Sequence, residues 1–555
     1  MSTRTFDGGG SSLATTIAAL EAANIRLGPE DHVVRTSLDT FDGRLAAAGL
    51  RLERWCGAAD VLELRGPDGV PARLTLPAAT LPTTGGSDAS PVRTGVLDPR
   101  DLPPGPFRSR LTTVTRERVL VSYLTLVTRR REGDRPGREG APTVAVGVDR
   151  WASLAVGRYA TRRAPDPHAR DALQAWTAEG WAIAAWTLEG WTLEVIELPG
   201  HPKPAAELVR RTTRRGLSSH EGDALDLALR RAGVDAGGWK GPARTALDRH
   251  APALPGYRTV LRDLLASLEA NWQGTIEHLD SEFLHQARIA VRRTRSVLAE
   301  GRGVLPVDVR RDQREAFAWL GALTGPARDL DVYVEGWSQL TSPLPAAAAR
   351  ALDPVRDHLV AQRAAEHTTV SAAMRSERAA AVLTAWRAWL ALSDDAVSGG
   401  RRADHPLGEV AATRLREAQE QVITDGRAIG SDSPPEALHE LRKDAKRLRY
   451  LLESFGPLGG RKRLRDILGH LKLLQDNLGE FQDTQVQADR LRSSAAETAG
   501  AGRLAPDADA AVERLAGILE ARGAAARDDF ARCFADYSAR RTRRTVAALI
   551  DGMSR

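Results

Sequence analysis

Leu284-His285-Gln286-Ala287-Arg288 and Leu438-His439-Glu440-Leu441-Arg442 lie 154 residues apart, and the same displacement carries Arg292 onto Lys446, Arg293 onto Arg447 and Arg295 onto Arg449. It persists further, placing Leu320 on Leu474, Asp329 on Asp483 and Val332 on Val486. A constant shift held over nearly fifty positions marks two copies of one unit. At 100° per residue, His285, Arg288, Arg292 and Arg295 fall within an arc of about 80°, while Leu284, Ala287, Val291 and Leu298 form a neighbouring apolar stripe. The second copy repeats this with His439, Arg442, Lys446 and Arg449. Each copy is therefore predicted to be a helix that packs on one side and presents cations on another.

Stacked cations one turn apart disfavour a helix by a few tenths of a kcal/mol per pair, a cost that a bound anion removes. Arg288 to Arg295 spans roughly 10 Å at about 1.5 Å per residue, enough to face several consecutive phosphates. A solvated face requires no particular register, so matched spacing in both copies points to a shared ligand. Ion pairing with Glu282, Glu440 and Asp444 is expected to engage only a minority of the cations. The two histidines sit among permanent positive charges that repel a metal ion. Donation to a phosphate oxygen and a buried structural role stay open beside metal ligation.

Working outward, Leu438 to Lys472 holds ten Lys or Arg against four acids, a surplus equal to the +6 of the whole 555-residue chain. Four of the six lysines fall there, Lys443, Lys446, Lys462 and Lys472. From Tyr257 onward, Ala/Leu/Arg-rich amphipathic runs predict eight to ten helices, broken near Leu305-Pro306, Ser342 to Pro345, Ser398 to Gly400, Ser433 to Pro435 and Gly456 to Gly460. Before about residue 200, β-branched runs at Val33-Val34, Val61 to Leu64, Val119 to Val127 and Val144 to Val148 alternate with Gly/Pro/Asp/Ser clusters. They predict turn-linked strands, with a helix at Ser12 to Ala23. Trp176, Trp181, Trp186 and Trp191 recur every five residues, a period matching neither helix nor strand.

Cys56 and Cys533 are too far apart in sequence for a disulfide framework or a paired metal motif, and both are read as reduced. No stretch approaches eighteen uninterrupted apolar residues and the N-terminus has no signal-like pattern, so a cytoplasmic location is expected.

The stretches Asp280 to Leu298 and Glu436 to Glu453, with Ala327 to Val332 and Leu473 to Glu480, resemble the CHAD (conserved histidine α-helical) domain over roughly 255 to 550. The resemblance implies two pseudo-symmetric four-helix bundles, repeat halves at about 255–395 and 405–550, with a basic groove that binds inorganic polyphosphate. The binding positions it implies are His285, Arg288, Arg292, Arg293, Arg295, His439, Arg442, Lys443, Lys446, Arg447, Arg449 and Lys472. No catalytic or metal-binding residue is assigned there. Leu38 to Leu45, Gly49 to Arg54, Trp191 to Glu197 and Ala205 to Val209 are similar to the CYTH, or triphosphate-tunnel, fold. The expected architecture is thus α+β: an antiparallel β-barrel-like tunnel at 1–215, a helical linker at 216–254 and an all-α domain at 255–555.

The CYTH Glu-x-Glu-x-Lys signature is absent, since no lysine precedes Lys203. Metal-dependent phosphoryl hydrolysis requires converging carboxylates to hold Mg²⁺ or Mn²⁺. Glu194 and Glu197, three apart, are expected on opposite faces of a strand. A degenerate tunnel follows as the expectation, with Arg110, Arg116, Arg118, Arg129 and Arg130 as candidate anion contacts. No cofactor is required, and a divalent metal enters only if the tunnel is active. The leading function is polyphosphate binding without chemistry. The alternatives are a triphosphatase or polyphosphatase dependent on Glu53, Glu63 or Glu194, and nucleic-acid binding, disfavoured because only Tyr450 adjoins the basic stripe. No membrane partner is expected.

Overall fold

The computed structural model describes residues 3–8, 12–40, 43–56, 59–67, 71–76, 96–116, 118–137, 140–156, 188–220, 222–231, 245–430, 432–502, 504 and 508–554. Trp176, Trp181 and Trp186 lie outside them. The chain divides into two compact units, Met1–Gly241 and Pro242–Arg555.

The first unit is one antiparallel sheet in the order β10-β1-β9-β8-β7-β2-β3-β4-β5, with β6 paired to β7. Its strands are β1 (Thr3–Asp7), β2 (Arg26–Thr40), β3 (Arg51–Cys56), β4 (Asp60–Arg65), β5 (Ala72–Thr75), β6 (Val96–Leu97), β7 (Leu120–Pro136), β8 (Pro142–Val156), β9 (Leu188–Glu197) and β10 (Ser218–His220). Helices α1 (Leu13–Ala22), α2 (Arg44–Ala47), α3 (Pro106–Thr115), α4 (Pro202–Arg214) and α5 (Ala224–Arg231) accompany them.

The expected barrel is not formed: the sheet is open. Its central strands run 15 to 17 residues, whereas its ends are the four-residue β5 and the three-residue β10. Closure requires the terminal strands to pair in a consistent stagger. Such short ends offer few ladder bonds, and β5 carries Arg73, whose side chain is 67% exposed. Short, charged edges blunt further pairing.

Alternation along the long strands separates two faces. Phe6, Val144, Val146, Val148, Leu193 and Val195 pack with α1 and α4. Leu38, Leu52, Leu62 and Leu64 form an adjoining apolar cluster. The opposite face carries Arg35, Arg51, Glu53, Arg130, Asp149 and Glu194, partly covered where Leu225 and Leu229 of α5 meet Leu124, Leu126 and Trp151.

In the second unit thirteen α-helices occur among the described residues: α6 (Ala253–Ile276), α7 (Ser281–Glu300), α8 (Val307–Leu323), α9 (Gly325–Glu335), α10 (Trp337–Thr341), α11 (Ala346–Ala351), α12 (Asp353–Met374), α13 (Glu377–Ala391), α14 (Leu407–Ala428), α15 (Pro435–Phe455), α16 (Arg461–Gly500), α17 (Ala508–Ser538) and α18 (Arg540–Ser554). The starts of α6 and α14, of α7 and α15, and of α8 and α16 are each 154 residues apart. The count exceeds eight to ten because the first set is more interrupted. Pro326 has no N–H to donate and ends α8 near Thr324, whereas its counterpart Glu480 lets α16 run through for 40 residues.

The two sets do not keep separate cores. Tyr257, Leu261, Val291 and Leu298 bury in one cluster with Leu415, Leu441, Leu448, Phe455 and Leu474. A smaller cluster joins Leu330, Tyr333 and Val355 to Leu491, Val512 and Leu515. Tyr333 Oη donates to the Gln487 carbonyl at 3.0 Å, and Gln487 is its own counterpart 154 residues on. No helix among the described residues is long and apolar enough to cross a membrane.

Candidate functional site: a basic groove between two helices

Asp280 caps α7, its carboxylate accepting from the Glu282 N–H at 2.8 Å, and Pro435 opens α15 where a missing N–H costs nothing. These starts fix the rotation of both helices, which pack against each other. Their contact is reciprocal. Arg293 of α7 pairs with Glu453 of α15 at 2.5 Å, and Arg447 of α15 pairs with Glu300 of α7 at 2.5 Å. Arg293 and Arg447 are repeat counterparts, and the two acids correspond to within one residue.

One residue earlier the helices bring Arg292 and Lys446, again counterparts, into each other's field. Burial, then Arg442 and Arg292, push the Lys446 ammonium down to about 8 from its usual 10.5, against a smaller opposing pull from Asp483. Arg288 is held below the ordinary arginine value, first by burial; the attraction of Asp329 opposes this, and Arg292, Arg328 and Arg295 add repulsion. Its Nη1 donates to the Gly321 carbonyl at 3.1 Å and to Thr324 Oγ1 at 3.0 Å.

A glycine adjoins each of two counterpart arginines at ordinary contact distance. A Cβ on Gly325 would lie 3.5 Å from Arg288 Nη1, and one on the counterpart Gly479 would lie 3.7 Å from Arg442 Nη2. Asp329 and Asp483 occupy matching places beside these arginines. Burial raises the Asp329 carboxyl, Arg288, Arg490 and Arg328 oppose that, and Asp483 adds a smaller repulsion.

Six of the ten predicted cationic positions are paired with acids, more than the minority expected. They are Arg293, Arg442 with Asp483 at 2.9 Å, Lys443 with Glu440 at 2.7 Å, Arg447, Arg449 with Glu453 at 2.9 Å, and Lys472 with Asp476 at 2.5 Å. Arg288, Arg292, Arg295 and Lys446 have no ion-pair partner among the described residues. The groove is thus basic at its centre and rich in ion pairs along its walls. His285 and His439 are each the fifth residue of their helix and half-buried.

A second histidine cluster was not visible in the sequence. His278, Asp331 and His367 offer donor atoms within 4.8 Å of one another. His367 Nε2 lies 2.8 Å from Asp331 Oδ1, and the His278 and His367 rings stack at 3.5 Å and 16°. Stacked imidazoles aim their in-plane lone pairs side by side, so one ion cannot meet both along those directions. The residues come from the end of α6, α9 and α12, so no local spacing announces them.

In the first unit, carboxylates that the sequence could not assemble do gather on the charged face. Arg35, 1% exposed, binds Glu53 at 2.8 Å and Asp223 at 2.5 Å. Arg51 binds Glu53, Asp223 and Asp226, and Arg130 binds Asp149 at 2.9 Å and Glu194 at 3.0 Å. Burial pushes the Asp149 carboxyl up to about 6; Arg130 opposes this and the like charge of Glu194 adds to it. Glu63 is held by Arg65 and Arg73, and Arg129 pairs with Glu30 at 3.5 Å. Arg110 and Arg116 are exposed and Arg118 is half-buried.

Residues 259–492, all within the second unit, match the family model of the CHAD domain. An uncharacterized protein of Mycobacterium tuberculosis, present in two strains, is 27% identical over 264 residues, 45% of this chain and 47% of the relative. The chain spans about half the length of the curated relatives it matches. Among solved structures, the CHAD domain from the plant Ricinus communis is 26% identical, covering 54% of this chain and 96% of that one, with a TM-score of 0.45. PptA from Streptomyces chartreusis is 22% identical, covering 51% and 99%, with a TM-score of 0.39. An adenylate cyclase homologue from Bacillus halodurans is 14% identical, covering 41% and 95%, with a TM-score of 0.26.

Proposed function

We propose that the groove between α7 and α15 binds inorganic polyphosphate and performs no chemistry on it. The observation that carries this reading is the mutual repulsion of Arg292 and Lys446, two repeat counterparts on packed helices with no ion-pair partner among the described residues. Like charges driven together and partly desolvated are costly, and a phosphoryl chain between them reverses the sign of that cost. Arg288 and Arg295 extend the cationic line along α7, and the guanidinium fork suits phosphate oxygens. Arg442, Lys443 and Lys472 frame the groove beside exposed acids that can yield to a stronger anion, whereas Arg293 and Arg447 are held by the largely buried Glu453 and Glu300. His285 and His439 stand on the same helices as further donors.

The test is a calorimetric or gel-shift titration with polyphosphates of defined length. Changing both Arg292 and Lys446 to Glu is expected to nearly abolish binding while helical circular dichroism is unchanged. Undiminished affinity in that double variant removes the groove assignment.

A second reading has its own support: Glu53, Asp149, Glu194 and Asp223 gather on one face of the sheet. Metal-dependent hydrolysis needs such carboxylates free to hold Mg²⁺ or Mn²⁺. Here Arg35, Arg51 and Arg130 already neutralise them, which favours the non-catalytic reading. Phosphate release from tripolyphosphate with either metal, lost in Glu53→Gln or Glu194→Gln, decides for the enzyme. Nucleic acid takes precedence only if RNA or DNA displaces long-chain polyphosphate at matched salt.

A further inference from the structure

Helices α16 and α18 both open on cations where helices ordinarily carry acids. Arg461, Lys462 and Arg463 begin α16, Arg540, Arg541, Arg543 and Arg544 begin α18, and neither has an acid in its first turn. The N-terminal end of a helix bears partial positive charge, so this placement is unfavourable without a counter-anion. The repeat supplies an internal control. Helix α8, the counterpart of α16, begins Val307-Asp308-Val309 with its acid in place. The fold itself therefore does not require the basic start.

Between the two helices lies a cleft of about 820 Å³. Six cations line it, Arg461, Lys462, Arg463, Arg540, Arg541 and Arg544, against the single acid Asp466. No carboxylate among the described residues forms an ion pair with any of the six, and Arg463 reaches only the Gly459 carbonyl at 3.4 Å. An adjoining hollow of about 540 Å³ shares Asp466, Arg541 and Thr545 and adds Arg465 and His470. In the groove the walls are largely ion-paired; here they are not.

The cleft is separate from the groove. From Arg461 to Gly479, where Arg442 lies, α16 runs roughly 27 Å at about 1.5 Å per residue. That is more than three times the Debye length of about 8 Å at physiological salt, so salt largely screens each cluster from the other.

We propose that the cleft between α16 and α18 is a second anion site, taking a run of phosphoryl groups independently of the groove. It rests on the polyphosphate reading only for the choice of ligand class. A chain long enough to occupy both sites gains affinity from the second contact by effective concentration.

The test uses the full chain titrated with tripolyphosphate and with long-chain polyphosphate. Wild type is expected to show two classes of site. Arg461→Gln with Arg541→Gln and Arg544→Gln is expected to lose one class and to lower the salt slope by about one unit per cation removed. The Arg292/Lys446 groove variant is expected to lose the other class and keep this one. Unchanged stoichiometry and slope in the cleft variant overturns the proposal and leaves the groove standing. Two classes persisting in the groove variant overturns the groove and leaves the cleft standing. Loss of single-stranded RNA binding with full polyphosphate binding, in the cleft variant, overturns the assigned ligand. If the triple variant loses helicity, Lys462→Gln with Arg541→Gln is read by the same criteria.

Discussion

Lys446 has its charge held in place against three pressures, its burial and the neighbouring Arg442 and Arg292. With its pKa lowered to about 8, the free protein loses this charge as pH rises from 7 to 9, and polyphosphate affinity is expected to fall across that interval. Lys446→Arg, which stays charged, is expected to flatten the decline in titrations at matched ionic strength; an unchanged pH profile assigns the decline to another group. The sign for folding runs the other way. The folded state binds this proton less tightly than the unfolded chain, so stability rises between about pH 8 and the unfolded value, and the penalty is fully present below 8. Lys446→Met is therefore expected to raise the melting temperature at pH 7, and saturating polyphosphate to raise that of wild type. The sequence located Lys446 by its register with Arg292. It could not indicate that the two repel one another in the fold, because that depends on how α7 crosses α15.

The cross-paired arginines belong to the scale of elements. Arg293 with Glu453 and Arg447 with Glu300 stitch α7 to α15 from both sides, and Glu300 is largely buried. Arg447→Met alone strands Glu300 and is expected to cost about 1–3 kcal/mol in denaturant unfolding. Arg447→Met with Glu300→Met is expected to recover most of that loss and to leave polyphosphate affinity within about twofold, as befits a pair outside the ligand contacts. A large affinity loss in the double variant returns Arg447 to the binding set. Both residues were legible as charges on helix faces, and the helix breaks at Pro306, Ser342 to Pro345 and Gly456 to Gly460 were legible as turn chemistry. The pairings were not, since their members lie about 150 residues apart. The break at Thr324 was missed because one proline divides a run whose apolar period is otherwise continuous.

At the level of the whole molecule, two compact units carry opposite charge logic. The helical unit concentrates unpaired cations, whereas the sheet unit buries Arg35 among Glu53 and Asp223. Arg35→Met leaves those carboxylates uncompensated and is expected to cost about 3–5 kcal/mol, read as early loss of the β-sheet amide signal in the infrared while the helical signal persists. Alternating β-branched runs announced most of the long strands, yet not the open sheet, because closure depends on the lengths of the terminal strands. Nor did they announce the carboxylate cluster. Its members come from β3, β8, β9 and the start of α5, and only strand order brings them together.

Tyr333 reaching its own counterpart Gln487, together with the crossed arginine pairs, places an approximate two-fold axis through the junction of the helical halves. A strand of RNA or DNA has distinct 5′ and 3′ directions and would meet the two halves unequally. A linear phosphoric anhydride reads the same from either end, so a site folded back on itself in this way suits a polymer without polarity.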